Sequence, residues 1–334
     1  MVLFKDGRRY NELEYLSEED FEKDIIDNYK LFFGKKTICI DAKRKIDAKS
    51  LGGTLPDALL FDLSDIDNPE FYLVEVELAS HDFYKHIFPQ ITKFFAFYKN
   101  LDSRKELIEK IYSIVNTDSN LKKNFKKHIG ESEIYKFLSD AVESSQNILL
   151  VIDGEKKELP EIVNTYTDTW GKIVKIQTIK KYESSNEFIF SMHPDFENIE
   201  YSLVTNVEDI SSEPIEISEE FHLDGVNSNV KEIYSKLKES ILPINDQIIF
   251  NPQKYYISII NKKNVVFCKF RKKKILLVVM LPLDIIKSKI KHHTVKELSQ
   301  SVQKFYNGPC AVVDIRNLDH FDEIVALLEP LVSL

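Results

Sequence analysis

Three features of the sequence predict a mixed α/β fold in two domains. Short apolar runs typical of strands alternate with segments of helical periodicity along most of the chain. The chain has 334 residues, a length that favours two domains over one. An acidic, serine-containing and weakly periodic stretch separates two such patterns. We therefore expect a mixed sheet flanked by helices over residues 1–196, a linker over residues 197–225 and a smaller α+β domain over residues 226–334.

The first domain is expected to open with a helix and to continue with strands. Residues Ser17–Asp20 are typical of a capped helix start, and apolar residues then recur at helical spacing over Phe21–Phe32. Residues Ile46–Leu55 contain Gly52 and Gly53, which favours a loop or a bulged strand. Apolar, β-branched and aromatic runs predict the strands Thr37–Asp41, Asp57–Leu63, Phe71–Leu78, Asn147–Asp153, Lys172–Tyr182 and Glu187–Met192.

Helices are predicted between and after these strands. Aromatic and apolar residues over Phe83–Tyr98 mark one face of a helix, which Pro89 either kinks or begins. Helical patterns also cover Ser103–Ser144, in two or three segments, and Leu159–Trp170. Asp82 is expected to cap the first of these helices. These helices therefore lie in sequence between the predicted strands Phe71–Leu78 and Asn147–Asp153, and between Asn147–Asp153 and Lys172–Tyr182.

The second domain is expected to combine a three-stranded meander with helices. Val226–Ile241 has helical periodicity. Helices are also expected near Thr294–Tyr306 and Leu318–Leu331, on either side of a strand at Ala311–Ile315. The meander comprises the strands Tyr255–Ile260, Val265–Phe270 and Ile275–Leu281. No catalytic motif occurs in this domain, so binding or dimerisation is its expected role.

Composition narrows the class of protein. The longest apolar run, Ile275–Leu281, is shorter than the about 20 residues that a membrane-spanning helix needs. The first residues lack the long apolar segment of a secretory signal. Three scattered cysteines form neither a disulfide framework nor a metal-binding pattern, which favours a reducing, cytoplasmic location. The net charge of −9 argues against a simple nucleic-acid binder coated in positive charge, although basic clusters such as Lys43–Lys45 and Arg271–Lys274 occur.

Two glutamates occupy a predicted strand that is otherwise apolar. Glu75 and Glu77 lie in Phe71–Leu78, where alternate side chains share a face, and a hairpin folded about Asp67 brings Asp57 close to both. Like charges so close repel, and burial raises the cost, so a divalent metal ion is the simplest compensation. Oxygen ligands suit Mg²⁺ or Mn²⁺, and such an ion activates a water for attack on a phosphate. The alternative is a structural or regulatory protein in which both glutamates lie on the wet face of an edge strand.

The order of these acidic residues resembles a known family of enzymes. Asp57 after a proline, followed by Glu75-Val76-Glu77, resembles the motif of the PD-(D/E)XK nuclease superfamily, which includes many restriction endonucleases. Glu22 resembles the glutamate often found on the opening helix of that family. The resemblance covers residues 10–190 and implies a restriction-endonuclease-like sheet that binds Mg²⁺ or Mn²⁺. The ligands it implies are Glu22, Asp57, Glu75, Glu77 and the carbonyl of Val76.

The helix after the second glutamate carries a further part of the resemblance. The segment from Gln90 to Phe94 resembles a Gln-x-x-x-Tyr element of one branch of the superfamily, and Gln90 is expected to point toward the sheet and position a phosphate or a carboxylate. The chain departs from the family at Glu77, which takes the place of the motif lysine. Lys93 or Lys85 is expected to supply the missing positive charge. His81 and His86, which flank the site in sequence, are interpreted as structural or surface residues.

The resemblances together imply a function. Residues 254–282 resemble a small C-terminal domain of bacterial proteins that has carried the label predicted transport protein and often follows a nuclease-like domain. We expect a metal-dependent endonuclease that hydrolyses DNA in prokaryotic defence or restriction, and the family resemblance implies that the DNA is double-stranded. A homodimer, or a partner protein bound through the C-terminal domain, is also expected. The alternative is a catalytically degenerate nuclease fold that binds nucleic acid or protein, which the missing lysine and the negative net charge favour.

Overall fold

The computed structural model describes residues 1–46, 55–66, 68–130, 132–166, 170–171, 173–199, 217–253 and 255–333. Most of the predicted loop Ile46–Leu55, the predicted turn residue Asp67 and most of the predicted linker lie outside these ranges. The chain divides into two compact units, Met1–Asn206 and Val207–Leu334. Each unit contains a sheet with helices, so the predicted mixed α/β class is confirmed. No helix among the described residues is both long and apolar enough to cross a bilayer.

The first unit is built on a mixed sheet. Its strands are β1 (Val2–Lys5), β2 (Arg8–Leu13), β3 (Thr37–Asp41), β4 (Ala58–Asp62), β5 (Glu70–Glu77), β6 (Asn147–Ile152), β7 (Val174–Ser184) and β8 (Glu187–His193). Their order in the sheet is β1-β2-β7-β6-β5-β4-β3, and β8 also pairs with β7. The pairs β5–β6 and β6–β7 are parallel, and the other pairs are antiparallel. Strand β5 is therefore an interior strand, with β4 on one side and β6 on the other.

The helices of the first unit follow the predicted order. They are α1 (Glu18–Asp27), α2 (Tyr29–Phe33), α3 (Ala42–Lys45), α4 (Phe88–Lys99), α5 (Leu101–Thr117), α6 (Ser119–Ile129), α7 (Ile134–Ser144) and α8 (Glu158–Thr165). The side chain of Ser17 caps α1 by accepting a hydrogen bond from the Asp20 N–H at 3.2 Å. A π-helical turn at Phe83–Ile87 precedes α4, so Pro89 lies in the first turn of α4, where the missing N–H of proline costs nothing.

Strand β5 separates two apolar layers. Val74 and Val76 face α1, where they share a buried cluster with Phe21 and Ile25. On the opposite face, Phe71 packs with other aromatic residues of the sheet and of α6; its ring lies 5.0 Å from that of Phe61. A strand that is covered on both faces is nearly continuously apolar. Glu75 and Glu77 are the exceptions among the buried residues of this strand.

The second unit is an antiparallel sheet with helices. Its strands are β9 (Ile249–Pro252), β10 (Ile257–Asn261), β11 (Lys263–Arg271), β12 (Lys274–Val279), β13 (Thr294–Glu297) and β14 (Ala311–Ile315), in the order β13-β14-β12-β11-β10-β9. Its helices are α9 (Glu219–Leu223), α10 (Ser228–Ile241), α11 (Leu283–Lys289), α12 (Gln300–Phe305) and α13 (Phe321–Val332). Apolar residues of α10 and α13 share one core with alternate residues of β11, β12 and β14.

Several elements differ from the prediction. The hairpin β1–β2 and the strand β9 were not predicted, because β1 and β9 have only four residues each and β2 is largely polar. The segment Thr294–Tyr306, predicted as a helix, begins with the strand Thr294–Glu297 and becomes helical only at Gln300. Val295 pairs with Val313 of the neighbouring strand, so tertiary pairing outweighs local helical preference there. Within the predicted linker, residues Glu219–Leu223 are helical.

Candidate functional site

Asp57, which directly precedes β4, lies beside Glu75 of the neighbouring strand β5. In the ladder between β4 and β5, Ala58 is the partner of Val74. The Asp57 N–H donates to the Val74 carbonyl at 3.0 Å. This register sets Asp57 beside Glu75, whereas a hairpin folded about the predicted centre would have set it opposite Glu77. The structure therefore brings two of the predicted metal ligands together, in a register shifted from the expected one.

The carboxylate of Glu75 is buried without being satisfied. Its side chain is 3% exposed, and its Oε2 atom has no hydrogen-bond partner among the described residues. Burial, followed by the charges of Asp57 and Glu77, raises the pKa of Glu75 well above its ordinary value. A buried carboxylate is costly unless it is paired or binds a metal ion. This burial argues against the alternative in which the glutamates lie on a wet edge strand.

Asp57 is held by backbone and by one ammonium group. Asp57 is 1% exposed, and its Oδ2 accepts a hydrogen bond from the Val76 N–H at 2.6 Å. Its Oδ1 forms a close ion pair with Lys43. Burial raises the pKa of Asp57 to about 7, although the Lys43 ammonium and the Val76 N–H both favour the carboxylate. Val76 thus acts on the site through its N–H, while its side chain lies in the core facing α1.

Helix α1 contributes two further carboxylates. Glu22 accepts a hydrogen bond from Lys43 Nζ at 2.8 Å, and Glu18, one turn earlier, lies 3.8 Å from the same nitrogen. One ligand oxygen from each of Glu18, Glu22 and Asp57 lies within 4.8 Å of the others. Burial opposes the charge of Lys43, but Asp57 and Glu22 outweigh it and raise the pKa of this lysine. Glu22, predicted from the opening helix, therefore does reach Asp57.

The position of Lys43 follows from local structure. The side chain of Asp41 caps the short helix α3 by accepting from the Arg44 N–H at 3.0 Å. The first N–H of that helix, from Ala42, donates to the Asp57 carbonyl at 3.0 Å. These two contacts fix α3 against the start of β4. Lys43, on the first turn of this helix, consequently lies beside the Asp57 carboxylate.

Glu77 lies at the end of β5 among side chains from the segment that follows. It is 1% exposed, and its Oε2 lies 2.8 Å from His81 Nδ1. Gln90 Nε2 donates to its Oε1 at 3.5 Å, so Gln90 does point toward the sheet. Burial raises the pKa of Glu77, and the hydrogen bond with His81 opposes that effect. His81, interpreted from sequence as structural or surface, is therefore in direct contact with a candidate site residue.

The two lysines expected to replace the motif lysine lie elsewhere. Lys93 is exposed and makes no ion pair with any described residue. Lys85 is exposed as well, and its ammonium lies 3.7 Å from Asp82. The Lys85 N–H donates to the Asp82 side chain at 3.0 Å, which confirms the predicted cap. Among the described residues, the ammonium group that does reach these carboxylates is that of Lys43.

Sequence reasoning missed three members of this cluster. Glu18 was interpreted as part of a capped helix start, yet its spacing of four from Glu22 places both on one helix face. Lys43 was noted only as a member of the basic cluster Lys43–Lys45. The i,i+4 spacing of Glu77 and His81 was visible in the sequence, but β5 ends between them, so only the structure shows that they meet.

The donor set fits a hard divalent ion. Asp57 and Glu75 offer buried carboxylates, and Glu75 has an unpartnered oxygen that an ion would satisfy. Glu18 and Glu22 add oxygens from a helix that is part of the same core. Asp57, Glu75, Glu18 and Glu22 are therefore the residues that could hold a divalent ion. No family model, no curated protein and no solved structure was found to match this chain.

Proposed function

We propose that this protein is a metal-dependent endonuclease that hydrolyses phosphodiester bonds of DNA in prokaryotic defence or restriction. The observation that carries the proposal is the pair formed by Asp57 and Glu75, in which a buried Glu75 oxygen lacks a partner. Such a group destabilises the fold unless it serves a site that an ion completes. The resemblance of Asp57, Glu75-Val76-Glu77 and Glu22 to the PD-(D/E)XK motif supplies the substrate class. Cytoplasmic location belongs to the same proposal.

The roles of the residues follow from their contacts. Asp57 and Glu75, with Glu22 and the Val76 carbonyl, would hold the ion, which would lower the pKa of a bound water and offset charge on the phosphate. Glu77 lies at the end of the same strand, and its raised pKa suits it to accept the proton that the attacking water loses. Gln90 and His81 hold the Glu77 carboxylate in place.

Lys43 is the residue that compensates for the missing motif lysine. Its ammonium contacts Asp57 and lies 2.8 Å from Glu22. This places a positive charge beside the carboxylates, where the resemblance expects one, but from α3 instead of from β5. A positive charge in this position stabilises the negative charge that builds up on the phosphate during hydrolysis. The substitution at Glu77 is thereby compatible with catalysis.

Cleavage of plasmid DNA tests the proposal. The full chain is incubated with supercoiled plasmid and either Mg²⁺ or Mn²⁺, and nicked and linear products are quantified. Asp57→Asn and Glu75→Gln are expected to reduce cleavage by at least about 100-fold, because each removes an ion ligand. Glu109→Gln, on the exposed face of α5, is the matched control and should cleave as the unaltered protein does. Cleavage that persists in both site variants would refute the assignment.

One observation favours a second candidate function. Lys43 already neutralises part of the charge on Asp57 and Glu22 without an ion. A degenerate site of this kind would leave a nuclease fold that binds nucleic acid or a protein partner without cutting. Calorimetric titration with Mn²⁺ separates the two candidates. A working site takes up the ion at the carboxylates, and a degenerate site shows no binding heat.

A further inference from the structure

A cavity of about 380 Å³ lies in the second unit, beside β11 and the end of α12. Its size falls in the range of about 300–1,000 Å³ that is usual for small-molecule sites. Val266 and Cys268 of β11 belong to the core that α10 and α13 share, so Phe267 between them faces the other side of the sheet. Phe267 lines the cavity on that side. The cavity is therefore not a packing defect of the core.

Aromatic rings form much of the cavity wall. The Phe267 ring lies 4.9 Å from the ring of Tyr256 and 4.7 Å from the ring of Tyr306. The Phe305 ring lies 5.0 Å from that of Tyr306, and all four residues line the cavity. Phe267 and Tyr306 are buried, whereas Tyr256 and Phe305 are partly exposed. Rings grouped in this way around a cavity offer faces and edges against which a planar ligand can pack.

Polar groups complete the wall. Asn264, at the start of β11, lines the cavity and is exposed. Its side-chain amide offers both a hydrogen-bond donor and an acceptor. Tyr306 also lines the cavity, and its buried hydroxyl has no hydrogen-bond partner among the described residues. Buried hydroxyls ordinarily have a partner, and a polar ligand bound beside this ring would supply one.

The charge around the cavity favours an anionic ligand. Among the described residues that line it, Lys263 carries a positive charge and none carries a carboxylate. Burial raises the pKa of Tyr306, and the positive charge of Arg271 opposes that rise, so Arg271 lies close enough to act on the same phenol. The chain as a whole has a net charge of −9. A positive lining is therefore a local feature and not a consequence of the overall composition.

We propose that this cavity binds the base of a nucleotide and that Lys263 holds its phosphate. A nucleotide combines a planar ring, a polar ring edge and a negative charge, which match the three kinds of group in the wall. The base would pack against the aromatic rings, Asn264 would contact its polar edge, and the Lys263 ammonium would pair with the phosphate. The nucleotide is either free or part of a nucleic-acid strand. The inference does not rest on metal binding or on cleavage by the first unit.

Saturation-transfer difference NMR of the full chain tests the inference. The protein, in buffer with EDTA, is mixed with adenosine, guanosine, cytidine or thymidine monophosphate and, separately, with a short single-stranded oligonucleotide. Signals are expected from base protons, and their titration gives dissociation constants. Gly308→Leu is expected to weaken binding by at least about tenfold, because a side chain there displaces the stacked base. A Cβ added at Gly308 meets the methyl group of Met280, which also lines the cavity, at an ordinary 3.5 Å.

A charge variant tests the role of the phosphate. Lys263→Gln is expected to weaken binding of the nucleotides severalfold and to leave binding of the corresponding nucleosides unchanged, since a nucleoside has no phosphate. Lys236→Gln is the matched control, because Lys236 is exposed on α10, which packs on the other face of the sheet. This control should bind nucleotides and nucleosides as the unaltered protein does.

The outcomes distinguish the two sources of the nucleotide. Mononucleotide signals that are lost in Gly308→Leu identify a free nucleotide as the ligand. Signals from the oligonucleotide alone, lost in the same variant, identify a base within a strand. The inference is overturned if no probe gives base-proton signals or if affinity is unchanged in Gly308→Leu. Should that variant fail to fold, as judged by circular dichroism, Lys263→Gln decides, and equal affinity of this variant and the unaltered protein for the nucleotides overturns the inference.

Discussion

The Lys43 ammonium and the Asp57 carboxylate form a close ion pair at the start of β4. Lys43 also donates to Glu22 at 2.8 Å. An ammonium group of the chain therefore occupies a position among carboxylates where a metal ion is proposed to bind. Lys43 therefore stabilises the acidic cluster in the metal-free protein and competes with an ion for the same carboxylates.

Removal of the Lys43 charge is expected to change stability and metal affinity in opposite directions. Lys43→Met leaves the buried Asp57 without its ammonium partner, which should lower the free energy of unfolding of the metal-free protein by about 1–3 kcal/mol. The same change removes a competitor for the carboxylates, so the Mn²⁺ dissociation constant should fall several-fold. Thermal unfolding with and without Mn²⁺ measures both effects. Lys45→Met, which breaks the surface pair with Asp118 at 3.1 Å, is the control and should leave Mn²⁺ affinity unchanged.

Neutralisation of Glu75 is expected to stabilise the metal-free protein. Burial raises the pKa of Glu75, so between the unfolded-state pKa of about 4.3 and the higher folded-state pKa the native protein holds the extra proton. Stability therefore falls as pH rises through that window. Glu75→Gln removes this loss, and its melting temperature should exceed that of the unaltered protein at pH 7 but not at pH 4. If Glu75→Gln and the unaltered protein have equal melting temperatures at pH 7 as well as at pH 4, the buried charge of Glu75 does not destabilise the protein, and the prediction is wrong.

The helix cap at Ser17 is expected to affect metal binding from a distance. Its hydroxyl accepts the Asp20 N–H at 3.2 Å and defines the turn that carries Glu18. Ser17→Ala should cost about 1 kcal/mol of stability and weaken binding of Mn²⁺, because fraying of the first turn disperses the Glu18 oxygen. Ser17→Asp restores a capping oxygen and should restore both properties. Titration calorimetry and chemical unfolding of the two variants provide the measurement.

The second unit has its own buried charge pair. Lys274 Nζ lies 3.1 Å from Asp314 Oδ2, and Arg316 lies 3.2 Å from the same oxygen. Asp314→Leu removes the carboxylate from between two cations and should destabilise this unit by about 3–5 kcal/mol. Hydrogen exchange followed by mass spectrometry can localise the effect, with faster exchange expected in β12 and β14. Asp319→Leu, at an exposed position, should leave exchange in these strands unchanged.

The sequence predicted the parts of the fold that depend on local pattern. Thr37–Asp41 and Ala311–Ile315 have the predicted bounds, because each is a short apolar, β-branched run with clear ends. The strand Thr294–Glu297 was missed because it is stabilised by pairing with β14, which no local pattern reports. Strand β2 was missed for a similar reason: its sequence is largely polar, and it is held by pairing with β7.

In the candidate site, too, contacts set by local sequence were predicted and contacts set by tertiary packing were missed. Asp57 and Glu75 were predicted to be close because one hairpin carries both. Lys43 could not be placed, since its position depends on the packing of α3 against β4. His81 meets Glu77 only because the chain folds back after β5. Spacing thus predicts that residues of one hairpin lie close together, although not their register, whereas contacts between separate elements require the structure.

The alternation along β5 has a consequence for folding accuracy. Val74 and Val76 pack against Phe21 and Ile25 of α1, while Glu75 and Glu77 face the other way. A slip of one residue would exchange the two faces and drive both carboxylates into the apolar cluster under α1. Such a misaligned intermediate would carry two uncompensated charges in an apolar layer. The acidic residues that make the native strand costly also make its wrong alignments costlier still, and so help the chain to find a single register.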